Sequence, residues 1–390
     1  MGLAARIVLV TAGLGMLLCS LGCKFEGALS REKSMPFASG LAPGSFFDSS
    51  GAVGPGQAGI MAAKAGYVLV GESHLSICDH KVEARIIELM AQAGAAPAVG
   101  LEMVSLDRQP VLDLFNQGEL APKDLEKALD WDKTWGFPFV MYLPIFQAAR
   151  AHGLPVFALN APGKVARKVG QTGLAGLSPE ELDGLPPRII PASPEEQADL
   201  RQAFKAHPAL PLSSDQKRDW QSFLTVQAFW DTTMAYRAVE IRRELNRPVV
   251  IVAGDGHVGR GMGIAARLAV LDSEASRVVF GPARSDRVDP GEADVFFYCP
   301  PTGHARLGLK IEPAGQELTV AEVEPGSKAQ AAGFAPGDVL VAVGGQAMAS
   351  LADLHRAAVE ALMAGQDLSV EVRRQGTSLT LTVPMGPEAK

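Results

Sequence analysis

Two four-residue segments, Gly71-Glu72-Ser73-His74 and Gly254-Asp255-Gly256-His257, each follow an unbroken apolar run and each deliver an imidazole just beyond it. Glu102 follows a third run, Ala98-Val99-Gly100-Leu101, and Asn160 ends a fourth, Val156-Phe157-Ala158-Leu159. A stretch of helical spacing adds Gln227 and Asp231, one turn apart and in line with Leu224 and Met234, so two polar side chains interrupt an apolar stripe. Two imidazoles with one or two carboxylates can hold Zn²⁺ or Mn²⁺ while leaving a position open for water. Without a metal, glutamate and histidine can work as a general acid and base. A single Gly-x-x-His after a strand is more often a capped turn than a ligand. Two copies, each ending a buried run, raise the odds that one crevice receives both.

For that to happen the runs must be neighbouring strands. Tyr67-Val68-Leu69-Val70, Val99, Val156 to Leu159 and Val249-Val250-Ile251-Val252-Ala253 lack polar alternation, as parallel strands covered on both faces do. Helical patterns at 81–92 and 144–152 lie between them, so the expected fold is α/β, a mostly parallel sheet with flanking helices. In such a sheet ligands bind outside the carboxyl ends of the strands, which is where both histidines fall. Residues 164–246 break the rhythm with Leu/Pro-rich loops and a long helix from about Asp215 to Asn246, and read as a helical insertion. Residues 131–146 hold Trp131, Trp135, Phe137, Phe139, Tyr142 and Phe146, a concentration that fits either a pocket wall or an aromatic mini-core.

At roughly 150 residues per domain, 390 residues make two or three folding units. A hydrophobic share of 47% and a charged share of 20% exclude disorder and a charge-rich coiled coil. Lys+Arg 36 against Asp+Glu 43 gives a net charge of −7 with no dense basic stripe, which excludes nucleic acid as a partner. Residues 2–22 carry one charge, Arg6, before an apolar stretch and Cys19-Ser20-Leu21-Gly22-Cys23, a signal-peptide layout. Gly22-Cys23 resembles the lipobox of bacterial lipoproteins, which implies acylation of Cys23 and a bilayer anchor. An ordinary cleavage and an uncleaved anchor are the alternatives. Lys24 after the cysteine does not argue for inner-membrane retention, so the expected place is the cell envelope, on the outer membrane facing the periplasm. Only Cys78 and Cys299 remain beyond this segment; an oxidising compartment permits a disulfide, and two free buried thiols are the alternative.

The set Val70-Gly71-Glu72-Ser73-His74, His80, Gly100-Leu101-Glu102-Met103, Trp131-Asp132-Lys133-Thr134-Trp135, Tyr142-Leu143-Pro144, Leu159-Asn160, Gln227-Ala228, Asp231-Thr232-Thr233-Met234-Ala235 and Gly254-Asp255-Gly256-His257-Val258 resembles the ChaN family over about residues 60–285. These are haem-binding, iron-uptake-associated lipoproteins grouped with the Tiki and erythromycin-esterase-like proteins. The resemblance implies a parallel sheet with a small helical domain over its edge, and a shared polar centre of Glu72, His74, Glu102, Asp231 and His257 with His80 and Gln227 beside it. It implies haem or another iron porphyrin as ligand, with Trp131 and Trp135 among the aromatic walls and Lys81, Arg85 or Lys133 for the propionates. Haem iron accepts His or Tyr, and Tyr142, His74, His80 and His257 stand as axial candidates without preference. A haem shared by two chains, hence a homodimer, is compatible with the family. The relatives equally imply a metal-dependent hydrolase in which Glu72, His74, Glu102 and His257 hold Zn or Mn, so whether the centre is catalytic stays open.

Residues 303–386, with Leu307-Gly308-Leu309-Lys310-Ile311, Gly326-Ser327-Lys328-Ala329, Ala332-Gly333-Phe334, Pro336-Gly337-Asp338-Val339-Leu340 and Val343-Gly344-Gly345, resemble a PDZ domain of the bacterial protease-associated type. That implies a small β-rich domain whose Leu307, Gly308 and Leu309 loop takes a C-terminal peptide or envelope protein, with Leu354 or His355 at the groove entrance. The expected organisation is a lipoprotein signal peptide at 1–22, a flexible Gly/Ser/Pro-rich tether at 23–60, the α/β domain at 61–285, a linker at 286–302 and the PDZ domain at 303–386.

Overall fold

The computed structural model describes residues 35–36, 40–206, 220–285, 287–301, 307–314, 317–348 and 350–385. The expected signal peptide, Cys23, the first part of the tether and the start of the long helix lie outside the described residues.

Eight strands make the larger sheet: β1 (Phe46–Asp48), β2 (Gly51–Val53), β3 (Tyr67–Glu72), β4 (Ala98–Ser105), β5 (Val156–Asn160), β6 (Val249–Gly254), β7 (Arg277–Ala283) and β8 (Val295–Tyr298). Across the sheet they run β2-β1-β8-β7-β3-β6-β4-β5, and from β8 to β5 every pair is parallel. The hairpin of β1 and β2 adds antiparallel to β8. β3 lies between β6 and β7, in register with both.

The unbroken apolar runs have the expected cause. Val68 and Val70 face one core with residues of helices Ile77–Gln92 and Phe139–Ala151. Tyr67 and Leu69 face the other, under helices Trp220–Leu245 and Gly263–Leu271. With all four at 0% exposure, neither face of β3 has a polar side to show. The long helix of the expected insertion is therefore also the layer on one face of the sheet, through Met234, Ala235, Ala238 and Val239. Beyond Leu245 that helix stops at Asn246, whose φ is 49°.

Two expected boundaries are corrected. Residues 40–60 do not all belong to a tether: β1, β2 and helix Pro55–Lys64 occupy most of this span, because Phe46 and Phe47 alternate into two different cores and Pro55 starts the helix at a position that needs no N–H. The expected linker at 286–302 holds β8, whose Val295, Phe296 and Phe297 are buried on the sheet. Next to it, Cys299 is disulfide-bonded to Cys78 across 221 positions of chain, which resolves the open question of the two thiols.

The smaller sheet runs Leu309–Ala314, Glu317–Val323, Val339–Val343, Leu368–Arg374, Thr377–Val383, all antiparallel, with Gln346–Ala347 pairing Val339–Val343. Helix Leu351–Ala364 covers its core through Leu354 and Ala358. The same helix meets the first domain: Arg356 pairs with Asp132 at 2.7 Å, and Val359 packs against the larger core.

Candidate functional site

Register brings the two glycine-led segments together. Glu72 at the end of β3 is the Cα partner of Gly254 at the end of β6, so His74 and His257 leave the sheet from adjacent positions. Glu102, on β4 beside β6, accepts the Gly254 N–H through Oε2 at 2.7 Å. A Cβ on Gly254 would lie 3.0 Å from His74 Cε1 and 3.6 Å from Glu102 Oε2, so glycine is what lets the three strand ends close on one another.

Each rim imidazole is held at Nδ1 by a carboxylate. His74 Nδ1 pairs with Glu72 Oε1. His257 Nδ1 meets Asp231 Oδ1 at 2.6 Å, from the long helix, while its Nε2 stands 3.4 Å from Glu102 Oε1. Holding the far nitrogen with a carboxylate fixes the tautomer and orients the ring, the arrangement metal-ligating histidines use. His74 Nε2 makes no hydrogen bond among the described residues. The two side chains are 17% and 14% exposed and so keep some contact with solvent, whereas Glu72, Glu102 and Asp231 are buried. Burial by itself would lower both histidine pKa values; Glu72 and Glu102 beside His74, and Glu102 and Asp231 beside His257, override it and raise each to about 9.

The expected aromatic wall is divided. Trp131 is core: it is 1% exposed, donates Nε1–H to the Phe137 carbonyl at 2.7 Å and meets Phe139 and Phe146 edge-on. Trp135, half-buried, sets its ring at right angles to His74 with centroids 4.9 Å apart, and Phe137 approaches the same imidazole at 4.9 Å. Trp230 stands 6.5 Å from His257. The crevice thus has aromatic surface beside both imidazoles, but not from the tryptophan that the sequence alone ranks equally.

Two expected axial candidates lie deeper than His74 and His257. Tyr142 is 1% exposed, donates its hydroxyl to the His74 carbonyl at 3.3 Å and packs on His80 with centroids 4.1 Å apart, which puts its oxygen behind the crevice. Burial raises its pKa well above the ordinary phenol value. His80 is wholly buried and bound to Glu83 at 2.9 Å, so it too lies behind. Gln227 is half-buried one turn before Asp231. Lys81 and Arg85 line a separate groove with Glu88, Pro144 and Gln147, and Lys133 is an exposed partner of Asp130. The four expected metal ligands do not form one tight cluster either. Among the described residues, the sets of His, Cys, Asp and Glu whose ligand atoms all lie within 4.8 Å are Glu72 with His80 and Glu83, and Asp79 with the two disulfide cysteines.

Sequence reasoning passed over the residues that hold the first glycine-led loop. Asp79 accepts from Ser73 N at 2.9 Å and from Ser76 Oγ at 2.8 Å, and Arg284 from the far end of β7 closes on both of its carboxylate oxygens. Ser76 caps helix Ile77–Gln92 and accepts from Asp79 N at 3.3 Å. The Ser-x-x-Asp spacing was a readable helix-start signal; the partnership with Arg284, 205 positions away, was not.

In the second domain, Gly308 has φ 79° and a Cβ there would meet Ser327 Cβ at 2.1 Å, so the loop before strand Leu309–Ala314 accepts only glycine. The Leu307 and Gly308 carbonyls are taken by the N–H groups of Ala329 and Glu324. His355 is exposed on its helix, whereas Leu354 is buried in the core and does not stand at a groove entrance.

The chain matches the family described as "Haem-binding uptake, Tiki superfamily, ChaN" over residues 60–268 and the PDZ domain family over residues 305–385. Among solved structures it is similar to that of "Cofacial heme binding to ChaN of Campylobacter jejuni", at 19% identity and a TM-score of 0.50, over 65% of this chain and 95% of that one. A mutant erythromycin esterase in its open conformation is 15% identical, with a TM-score of 0.35, over 57% of this chain and 71% of that one. The HtrA3 PDZ domain bound to a phage-derived ligand is 26% identical, with a TM-score of 0.17, over 20% of this chain and 81% of that one.

Proposed function

Since this chain belongs to the haem-binding uptake family of ChaN, within the Tiki superfamily, and carries a C-terminal PDZ domain, we propose that it binds haem in the crevice above β3, β4 and β6. The observation that carries the reading is His74: its Nδ1 is held by Glu72, its Nε2 makes no hydrogen bond among the described residues, and Trp135 and Phe137 pack against its ring. An imidazole so placed would hold haem iron once it gives up the Nε2 proton that its raised pKa keeps there at neutral pH. Bound haem would supply an iron centre with open coordination; what the chain does is orient His74, keep His257 beside it between Asp231 and Glu102, and lay aromatic surface along the macrocycle. Titrating the purified chain with haem should give a Soret band with a one-to-one endpoint. Replacing His74 with Ala should weaken binding by about 10–100-fold, the range typical of disturbed metal coordination, while Tyr142→Phe should leave the band where it is. A band unchanged by His74→Ala would remove this residue as the ligand. Sedimentation with and without haem distinguishes a site within one chain from a haem shared by two copies.

The second reading is a hydrolase, favoured by His257, which has a carboxylate at each nitrogen and so the means to accept and return a proton. Zn or Mn held at the rim in haem-free protein, with ester or peptide cleavage lost in His257→Ala, would support it.

The PDZ domain recruits a C-terminal peptide in this proposal. Among the described residues, strand Leu309–Ala314 pairs with Glu317–Val323 alone, which leaves an edge to which a peptide would add as a strand. Acylation at Cys23 would tether the assembly to the envelope bilayer, on the outer membrane facing the periplasm; mass spectrometry of the native protein tests it.

A further inference from the structure

Behind the crevice floor, helix Ile77–Gln92 and the end of β3 enclose a second polar cluster that haem would not touch. Glu72, His80 and Glu83 are 1%, 0% and 0% exposed, and their ligand atoms all lie within 4.8 Å of one another. His80 Nδ1 is 2.9 Å from Glu83 Oε2, and its Nε2 faces the His74 carbonyl at 3.4 Å. Two carboxylate oxygens, Glu72 Oε2 and Glu83 Oε1, are fully buried and have no hydrogen-bond partner among the described residues.

Proton counting makes this arrangement awkward for the chain by itself. A neutral imidazole has one N–H. If that N–H is on Nδ1, then Nε2 presents a lone pair to a carbonyl oxygen, and two acceptors face each other. If it is on Nε2, it donates to the His74 carbonyl and Nδ1 turns a lone pair toward the Glu83 carboxylate. The second state needs either a proton on Glu83 or a cation held between Nδ1 and the two carboxylates. It also reproduces the habit of metal-ligating histidines, which bind through one nitrogen and donate the other N–H to a backbone carbonyl.

We propose that Glu72, His80 and Glu83 form a buried site for one divalent transition-metal ion, Zn²⁺ or Mn²⁺, behind the haem crevice. One nitrogen and two carboxylates are a donor set both ions accept. The site differs from the rim imidazoles His74 and His257 and shares with them only Glu72, whose Oε1 holds His74 and which also offers an oxygen within 4.8 Å of the His80 and Glu83 ligand atoms. The ion therefore fixes the carboxylate that orients the crevice imidazole, and because the cluster is closed to solvent it is taken up as the chain folds.

The test refolds the full chain, with its disulfide intact, in chelator-treated buffer containing Zn²⁺ or Mn²⁺, and measures bound metal after desalting, without haem. One ion per chain is expected in the wild type and in His257→Ala, and less than about a tenth of an ion in Glu83→Gln, a first-ligand loss at least as severe as the 10–100-fold affinity losses of outer-sphere changes. Circular dichroism shows whether Glu83→Gln has folded; if it has not, anomalous scattering from wild-type crystals grown with Mn²⁺ places the ion. Metal lost in His257→Ala but kept in Glu83→Gln, an ion located at the rim, or wild type that retains none overturns the proposal. The haem titration is read separately: Glu83→Gln keeping its Soret band while losing metal leaves the haem reading intact, and the reverse pattern leaves the metal site intact.

Discussion

Glu72 and Gly254 face each other as register partners at the ends of two adjacent parallel strands, and this one pairing places both crevice imidazoles. Adding a methyl group at Gly254 tests the consequence. Its φ of −52° suits any residue, so the backbone is not strained, but the Cβ arrives 3.0 Å from His74 Cε1. Gly254→Ala should leave the circular dichroism spectrum intact and weaken haem binding roughly tenfold, about 1.4 kcal/mol, by displacing the ring. Unaltered affinity would separate His74 from the haem.

Haem-free stability should depend on pH with a defined sign. His74 and His257 have pKa values raised from 6.5 to about 9, against the effect of burial, by Glu72 and Glu102 for the first and Glu102 and Asp231 for the second. A group with a raised folded pKa stabilises fully below its unfolded value and loses that contribution as pH climbs through the folded value. The urea midpoint should fall between pH 6.5 and 9, and His257→Ala should flatten the fall. A midpoint rising over this interval would contradict the charged pairs.

Opening the disulfide between Cys78 and Cys299 should destabilise the first domain by about 2–5 kcal/mol, since the bond closes a long loop of chain. The double Ser variant, unfolded in urea, gives the number. Because Cys78 lies next to Asp79, which holds the Ser73 amide, haem affinity should fall along with stability. A variant as stable as the wild type would mean the cross-link adds nothing to the packing already there.

Gly308→Ala should abolish peptide selection from a C-terminal library while leaving the haem titration unchanged. The backbone at φ 79° and the 2.1 Å approach to Ser327 leave no room for a side chain in the loop. Enrichment that survives this substitution would take the loop out of peptide recognition.

Asp79→Asn removes the charge that faces Arg284 and leaves a largely buried guanidinium with a weaker partner. Breaking such a pair typically costs about 3–5 kcal/mol. The loss should appear in thermal unfolding and be accompanied by weaker haem binding, because the loop carrying His74 is tied to this carboxylate. If haem affinity holds while stability falls, the loop is positioned by other contacts.

Much of the fold was legible because burial on both faces leaves a one-dimensional trace: Tyr67 to Val70 and Val249 to Ala253 show no polar alternation and could only be inner parallel strands. The edge was less legible. β1 has three residues inside a Gly/Ser/Pro-rich stretch, and nothing local says that Phe46 and Phe47 are held by β8 some 250 positions later. Of the candidate site, Glu72, His74, Glu102, Asp231 and His257 could be chosen by type and position, whereas the depth at which Tyr142 and His80 are buried could not be read from the sequence.

Residue type and spacing alone determined that this chain has an α/β domain with polar groups at its strand ends, since periodicity and turn residues are local properties, while the PDZ domain after it was legible through the resemblance of its motifs to that family. That His257 meets a carboxylate at each nitrogen whereas His74 meets one at Nδ1 alone, that Arg284 holds Asp79, and that His80 with Glu83 sits behind His74 rather than beside it were decided only when strand register and helix packing set the depth of each side chain. Depth and partnership depend on contacts between segments hundreds of positions apart, which no local pattern carries.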